Sequence, residues 1–215
     1  MTEEQKNVWG REKRAVHRLR DGLGKPVDQA VVPTVVALRL LGFTTTSSCG
    51  GHFGRPASPY VALRSPENQA DRQRIEGAQN QAEQHRLREL AIQHNAGQLA
   101  RLIGLVERFY EARNVPQSQR LICQGFGVIG YRLTTQDTDL VHVVDQPVRR
   151  ELVARQRLEF DAFAEFLTDT FFEQKDATPS RAAYQPLGKV PGETTIRPGR
   201  LQPRSNRQHR SPGSR

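Results

Sequence analysis

The chain has 215 residues, a net charge of +9, two cysteines and 36% hydrophobic residues. A chain of this length buries about 70% of its surface on folding, so its core needs no disulfide support. Two cysteines exclude a disulfide framework, and the acidic first residues lack the apolar run of a signal peptide. No window reaches the roughly 20 apolar residues of a membrane span, so we expect a cytoplasmic protein without membrane contact.

The positive charge is concentrated at the C-terminal end. Residues 176–215 carry eight basic and two acidic side chains, a net charge of +6, which leaves +3 for residues 1–175. The same stretch holds six prolines and almost no apolar clusters, so it cannot offset its chain entropy by burial. We expect one domain at 1–175 and a disordered basic tail at 176–215. RNA or another polyanion is a candidate partner of this tail, and binding should then weaken steeply with salt.

The first half of the chain predicts two helices and two strands. Residues 3–20 form a helix with a thin apolar stripe, and a glycine-rich break follows within 21–26. Asp28 suits the N-cap of a second helix that ends near Gly42, and Pro33 places its start close to Val32. The β-branched run 43–48 and residues 60–63 predict strands joined by a glycine loop at 49–56.

The second half predicts helices around further strands. Residues 66–94 hold little apolar surface and predict an exposed helical arm, a possible surface for a protein partner. A break at 95–97 precedes a core-facing helix with the stripe Leu99, Leu102, Ile103, Val106, Phe109 and Tyr110. Strands are expected at 120–124, 128–135 and 140–144, before a phenylalanine-rich helix from Pro147 to about residue 172. The pattern predicts an α+β fold, a small, mainly antiparallel sheet with helices packed on one face.

Functional side chains concentrate between residues 44 and 60. A strand that delivers hydroxyls, a thiol, glycines and an imidazole into a loop is a typical place for a binding or catalytic site. We expect the chain to turn sharply at the two glycines, so that the imidazole folds back over the thiol. The predicted site consists of Ser47, Ser48, Cys49, Gly50, Gly51, His52, Arg55 and Tyr60.

Three chemistries compete for this segment with a purely structural role. Backbone N–H groups around the glycines could bind a phosphate with help from the serines and Arg55, although no P-loop motif is present. Cys49 could act as a nucleophile with His52 as its base. The same pair could bind a metal ion, with Cys123 and His142 as the only sensible completions of the ligand set. The structural alternative is a tight connection between two strands.

The motifs also resemble two families. Residues 24–28, 35–38, 41–52 and 59–61 are similar to a family of uncharacterised bacterial proteins with a Ser-Cys-Glu-Gly-His core followed by Pro-Trp-Val. The similarity extends to the helix at 102–110 and the closing helix at 160–172, but this family has no assigned activity. The chain departs from that pattern at Gly50, where an acid is usual, and at Tyr60, where tryptophan is usual. An absent acid weakens any metal or general-base role for position 50.

Residues 45–52 are similar to the Thr-Thr-Ser-Ser-Cys-Ser-Gly-Arg motif of the wybutosine-synthesising tRNA methyltransferase family. That resemblance covers about eight residues, with His52 in place of the arginine, and implies S-adenosylmethionine and tRNA. From the residues themselves we expect a protein that binds a phosphate-bearing ligand, with RNA as a candidate. A Cys/His-dependent enzyme, metal-assisted or methyltransferase-like, is the alternative. An interaction module that uses residues 66–94 is the third possibility.

Overall fold

The computed structural model describes residues 1–127, 130–136 and 140–177, which belong to one compact unit. The predicted tail therefore lies outside the described residues, apart from its first two positions at the end of the last helix. The fold is α+β, as predicted, with a four-stranded antiparallel sheet and five helices. No helix in the described ranges is long and apolar enough to cross a membrane.

The N-terminal helices begin where their capping residues indicate. Helix α1 (Glu3–Arg18) starts with a capping box, in which the Thr2 side chain accepts from the Gln5 backbone and the Gln5 side chain accepts from the Thr2 backbone. A 3-10 turn, capped by Asp28, leads into α2 (Val32–Leu40), and Pro33 sits in its first turn. Most of α2 is buried, so this short helix is the centre of the core.

The sheet consists of β1 (Thr45–His52), β2 (Ala57–Leu63), β3 (Leu121–Phe126) and β4 (Gly130–Thr135) in the order β1-β2-β4-β3. Alternate residues of each strand point to opposite faces. The inner face packs on the helices through Val61, Leu63, Tyr131 and Leu133. The outer face carries Ser47, Cys49, Tyr60, Ala62, Ile122, Gln124, Phe126, Arg132 and Thr134, as the strand register shows.

The third strand predicted at 140–144 is wrong, because this segment forms a 3-10 turn, Leu140–His142. Strand β4 already pairs with β2 on one side and β3 on the other, so a strand that follows it directly has no free neighbour there. The turn leads into α5 (Gln146–Ala177), whose Phe160, Phe163 and Leu167 are fully buried. The phenylalanine-rich helix closes the core, as predicted.

The helices between residues 66 and 110 begin and end at other residues than predicted. Helix α3 (Asn68–Glu76) ends at Gly77, and Asn80 caps α4 (Gln81–Tyr110), which continues through the predicted break at 95–97. Asn95 is 5% exposed inside α4, where its Oδ1 accepts from the backbone N–H of Ser65 at 2.6 Å. This tertiary hydrogen bond offsets the weak helix propensity of asparagine.

One position of the predicted stripe on α4 is also wrong. Ile103 is 41% exposed, whereas Leu105 is buried in the core. With 3.6 residues per turn, Leu105 lies on the same side of the helix as Leu102 and Phe109, whereas Ile103 lies at the edge of that side. Leu102, Phe109 and Tyr110 are buried as expected.

Helix α3, the first part of the predicted arm, is fixed to α4 by a small buried cluster. Ile75 and Ala91 are buried against Leu87, and the Asp71 side chain is only 3% exposed. One carboxylate oxygen of Asp71 lies 2.7 Å from Nδ1 of His94, and the other lies 3.7 Å from the Arg74 guanidinium. A buried carboxylate needs such partners, because an unpaired charge in the interior is costly.

We predict that His94→Ala lowers the free energy of unfolding by about 1–3 kcal/mol, because it leaves the buried Asp71 carboxylate without its closest partner. Urea unfolding measures the loss, and hydrogen exchange should localise it to α3. The matched control is His85→Ala on the same helix. Its 3.4 Å pair with Glu89 is exposed, so this variant should stay close to wild type. Equal losses of unfolding free energy in the two variants would contradict a stabilising role of the Asp71–His94 contact.

Candidate functional site

The glycines of the predicted site lie in a strand. Strand β1 runs from Thr45 to His52, with Cys49 opposite Tyr60 and Gly50 opposite Pro59 in β2. The predicted loop at 49–56 and its sharp turn at the two glycines are therefore wrong. The reversal comes at residues 53–56 instead.

Close packing explains the two glycines. A Cβ atom on Gly50 would lie 2.5 Å from Oδ1 of Asp28 and 2.7 Å from Cβ of Ala30. Gly51 has φ 76°, and a Cβ there would lie 2.9 Å from atoms of both Pro59 and Val153. The absent side chains let the 3-10 turn and α5 approach the strand. The space that a phosphate would need on that side is filled by protein.

An arginine from α5 completes this contact. The Arg157 guanidinium donates to the carbonyl oxygens of Gly50 at 2.6 Å and Gly51 at 2.9 Å. Its Cζ also lies 4.5 Å from the centre of the Phe53 ring. Arg157 thus ties the end of β1 and the following turn to the helical layer.

The two predicted serines point in opposite directions. The Ser48 hydroxyl faces the helices and accepts from the backbone N–H of Asp28 at 3.4 Å. Ser47 and Cys49 lie on the outer face, beside Ala62 and Tyr60 of the neighbouring strand. The serines also border a cleft of only about 50 Å³. Ligand sites usually measure roughly 300–1,000 Å³, so this cleft cannot hold a nucleotide.

The structure does not form a Cys–His pair. Three residues of extended strand place the Cα atoms of Cys49 and His52 roughly 10 Å apart. Within the part of the chain that the structure describes, no hydrogen bond joins these two side chains. His52 lies instead at the turn, where its Nε2 is 2.6 Å from Nη2 of Arg55. The structure thus shows no base placed beside Cys49.

The candidate metal ligands do not assemble either. Over residues 1–127, 130–136 and 140–177, no three His, Cys, Asp or Glu side chains are placed to hold a metal ion. Cys123 faces the helices, and burial raises the pKa of its thiol to about 12. It is therefore a protonated thiol at neutral pH. His142 is exposed on the turn after β4.

The outer face brings together residues that the sequence left apart. The rings of Tyr60 and Phe126 lie 5.3 Å apart between centroids, and Cζ of Arg132 lies 5.7 Å and 5.3 Å from them. Gln124 Oε1 accepts from Nε and Nη2 of Arg132 at 3.0 and 2.7 Å. We call Tyr60, Gln124, Phe126 and Arg132 the aromatic cluster.

The aromatic cluster is accessible. Tyr60, Phe126 and Arg132 are half-buried, Gln124 is exposed, and neither ring belongs to the hydrophobic core. Strand periodicity indicates which side chains of β3 face outward, because positions 122, 124 and 126 alternate with inward-facing Leu121 and Cys123. The strand pattern does not show that the rings meet, because Tyr60 pairs with Thr134 and Phe126 with Gly130, and only the ring contact in the folded structure reveals it.

A larger cavity opens next to the aromatic cluster. It measures about 470 Å³ and lies between the helical arm and the end of the sheet. Phe126 and Ile75 contribute apolar surface to it, and Arg64, Arg72 and Arg88 contribute positive charge. No local pattern indicates this cavity, since its walls come from segments that are distant from one another in the chain.

We predict that Gly50→Ala lowers the free energy of unfolding by about 1–3 kcal/mol, because the new methyl group overlaps Asp28 and Ala30. The matched control is Gly125→Ala in β3, where a Cβ would meet nothing within 4 Å. That change should be neutral or slightly stabilising. Thermal and urea unfolding measure both. A Gly50→Ala protein as stable as wild type would show that the contact is looser than the structure indicates.

Comparison with known proteins identifies no family for the chain. No family model matches it, and no curated protein or solved structure is significantly similar. The resemblances drawn from residues 24–172 and from residues 45–52 therefore stay predictions. The function proposed for the protein rests on the geometry of its own residues.

Proposed function

We propose that the protein binds single-stranded RNA across the outer face of its sheet. This keeps the predicted class, a phosphate-bearing ligand, but moves the site from the glycine segment to the aromatic cluster. The observation that carries the proposal is the pair of accessible rings, Tyr60 and Phe126, with the Arg132 guanidinium over both.

Stacking supplies the binding energy in this proposal. Unpaired bases stack on aromatic side chains and on arginine planes, and each stacked base contributes about 1–3 kcal/mol. The rings of the aromatic cluster stand on neighbouring parts of an open sheet, so two bases of one strand can be held together. A double helix hides the faces of its bases, which favours a single strand as the ligand.

Polar groups around the rings suit the edges of bases and the phosphates between them. Gln124 offers an amide donor beside the Arg132 guanidinium, and the Ser47 hydroxyl and Cys49 thiol lie on the same face. Arg132 carries a charge that attracts the RNA backbone. Neither a Cys/His enzyme nor a module built on the helical arm has a comparable observation in its favour.

The test uses a fluorescently labelled ten-nucleotide RNA of mixed sequence and measures its anisotropy as protein is added. Tyr60→Ala and Phe126→Ala should each weaken binding by about 1–3 kcal/mol, which is roughly 5- to 150-fold. Both side chains are half-buried outside the core, so melting temperatures should stay close to wild type.

The matched control is Phe53→Ala. Phe53 is 39% exposed and also lies under an arginine, Arg157, but it sits in the β1–β2 turn on the helical side. Its removal should leave RNA affinity within twofold of wild type. If all three variants bind like wild type, or if the intact protein binds no RNA, the proposal fails.

A further inference from the structure

The lining of the cavity beside the aromatic cluster combines apolar and positively charged side chains, which suit the base and the phosphate of a nucleotide. Phe126, Ile75 and Leu63 supply apolar surface, and three arginines supply charge. At about 470 Å³ the cavity falls within the roughly 300–1,000 Å³ of small-molecule sites. Phe126 also belongs to the aromatic cluster, so its ring borders both the cluster and the cavity.

The charge of the cavity exceeds what an internal phosphate of RNA needs. Arg64, Arg72 and Arg88 carry three positive charges, and Glu76 is the one acidic residue among the lining side chains that the structure describes, so the lining has a net charge of +2. A phosphodiester within a strand carries one negative charge. A terminal phosphate monoester carries about −1.5 to −2 at neutral pH and has three acceptor oxygens.

The arginines are placed to accept such a group. Arg88 is exposed on α4 and makes no hydrogen bond or ion pair within the described residues. Arg72 holds Glu76 at 2.7 Å in a solvent-exposed pair of the kind that contributes little stability and is readily exchanged. Guanidinium groups bind phosphate oxygens in a bidentate manner, so several of them around one cavity favour a multiply charged anion.

We infer that this cavity holds the terminal nucleotide of the bound strand. Its phosphate monoester contacts Arg64, Arg72 and Arg88, and its base packs on Phe126 and Ile75. The inference rests on the proposed RNA binding, because it places the end of the same strand that crosses the aromatic cluster. The Asp71–His94 contact fixes the arm and thereby the width of the cavity.

The test compares three versions of one ten-nucleotide RNA in anisotropy titrations with the full chain. One carries a 5′-phosphate, one a 3′-phosphate, and one hydroxyls at both ends. We expect one phosphorylated form to bind at least tenfold more tightly than the unphosphorylated form. Arg88→Gln should reduce that preference to less than twofold.

Arg86→Gln is the matched control. It removes the same charge from the same exposed stretch of α4, two residues from Arg88 and outside the cavity lining. The preference for the terminal phosphate should survive in this variant. Equal binding of the three RNAs by the wild-type protein would overturn the inference and leave the proposed function standing. An equal loss for all three RNAs in Arg88→Gln would overturn it too.

If the wild-type protein binds none of these RNAs, the proposed function fails. Calorimetry with adenosine monophosphate and with adenosine then tests separately whether the cavity binds a nucleotide. Binding of the monophosphate that requires Arg88, with no binding of adenosine, would support a nucleotide site. Absence of binding, or equal binding of both compounds, would overturn it.

Discussion

Two glycines let the edge strand of the sheet lie directly against the helical layer. The close contact of Gly50 with Asp28 and Ala30, and of Gly51 with Val153, leaves no room for side chains. Arg157 then binds both glycine carbonyls from α5. Because this contact holds β1 in place, strand alternation turns Ser48 inward and Ser47 and Cys49 outward.

Because the helices pack on one face of the sheet, the other face is the one accessible to a ligand. The helices pack against the inner face of the sheet or against one another, and the core side chains of β2 and β4 point toward them. Tyr60, Phe126 and Arg132 lie on the opposite face of the sheet. Helix α3, which Asp71 and His94 fix to α4, carries Arg72 of the cavity lining, and α4 carries Arg88.

Local patterns in the sequence were sufficient for the first two helices, for the last helix and for the fold class. The capping residue Asp28 and the apolar spacing of the last helix are short-range signals that packing did not override. Glycine permits a turn without requiring one, and the atoms of Asp28, Ala30 and Val153 that exclude a side chain at these glycines lie about 20 and 100 residues away in the chain. The hydrogen bond between Asn95 and Ser65 is likewise a tertiary contact, which the residues around Asn95 do not reveal.

The candidate site likewise contains residues that local sequence patterns indicate and residues that only the fold brings together. Tyr60 was singled out from its position behind the glycine segment, whereas Phe126 and Arg132 were not, because only the pairing of β2 with β4 and of β4 with β3 brings them to Tyr60. Strand register of this kind depends on contacts between distant segments and cannot be obtained from one segment alone.

We propose that RNA binds to the outer face of the sheet. Backbone amide chemical shifts of the labelled protein, recorded while a short single-stranded RNA is added, test this proposal directly. We expect shifts concentrated at Tyr60, Gln124, Phe126 and Arg132, with α1 and the Gly50–Gly51 segment unchanged. Shifts confined to residues 176–215 or to the turn at 53–56 would contradict it.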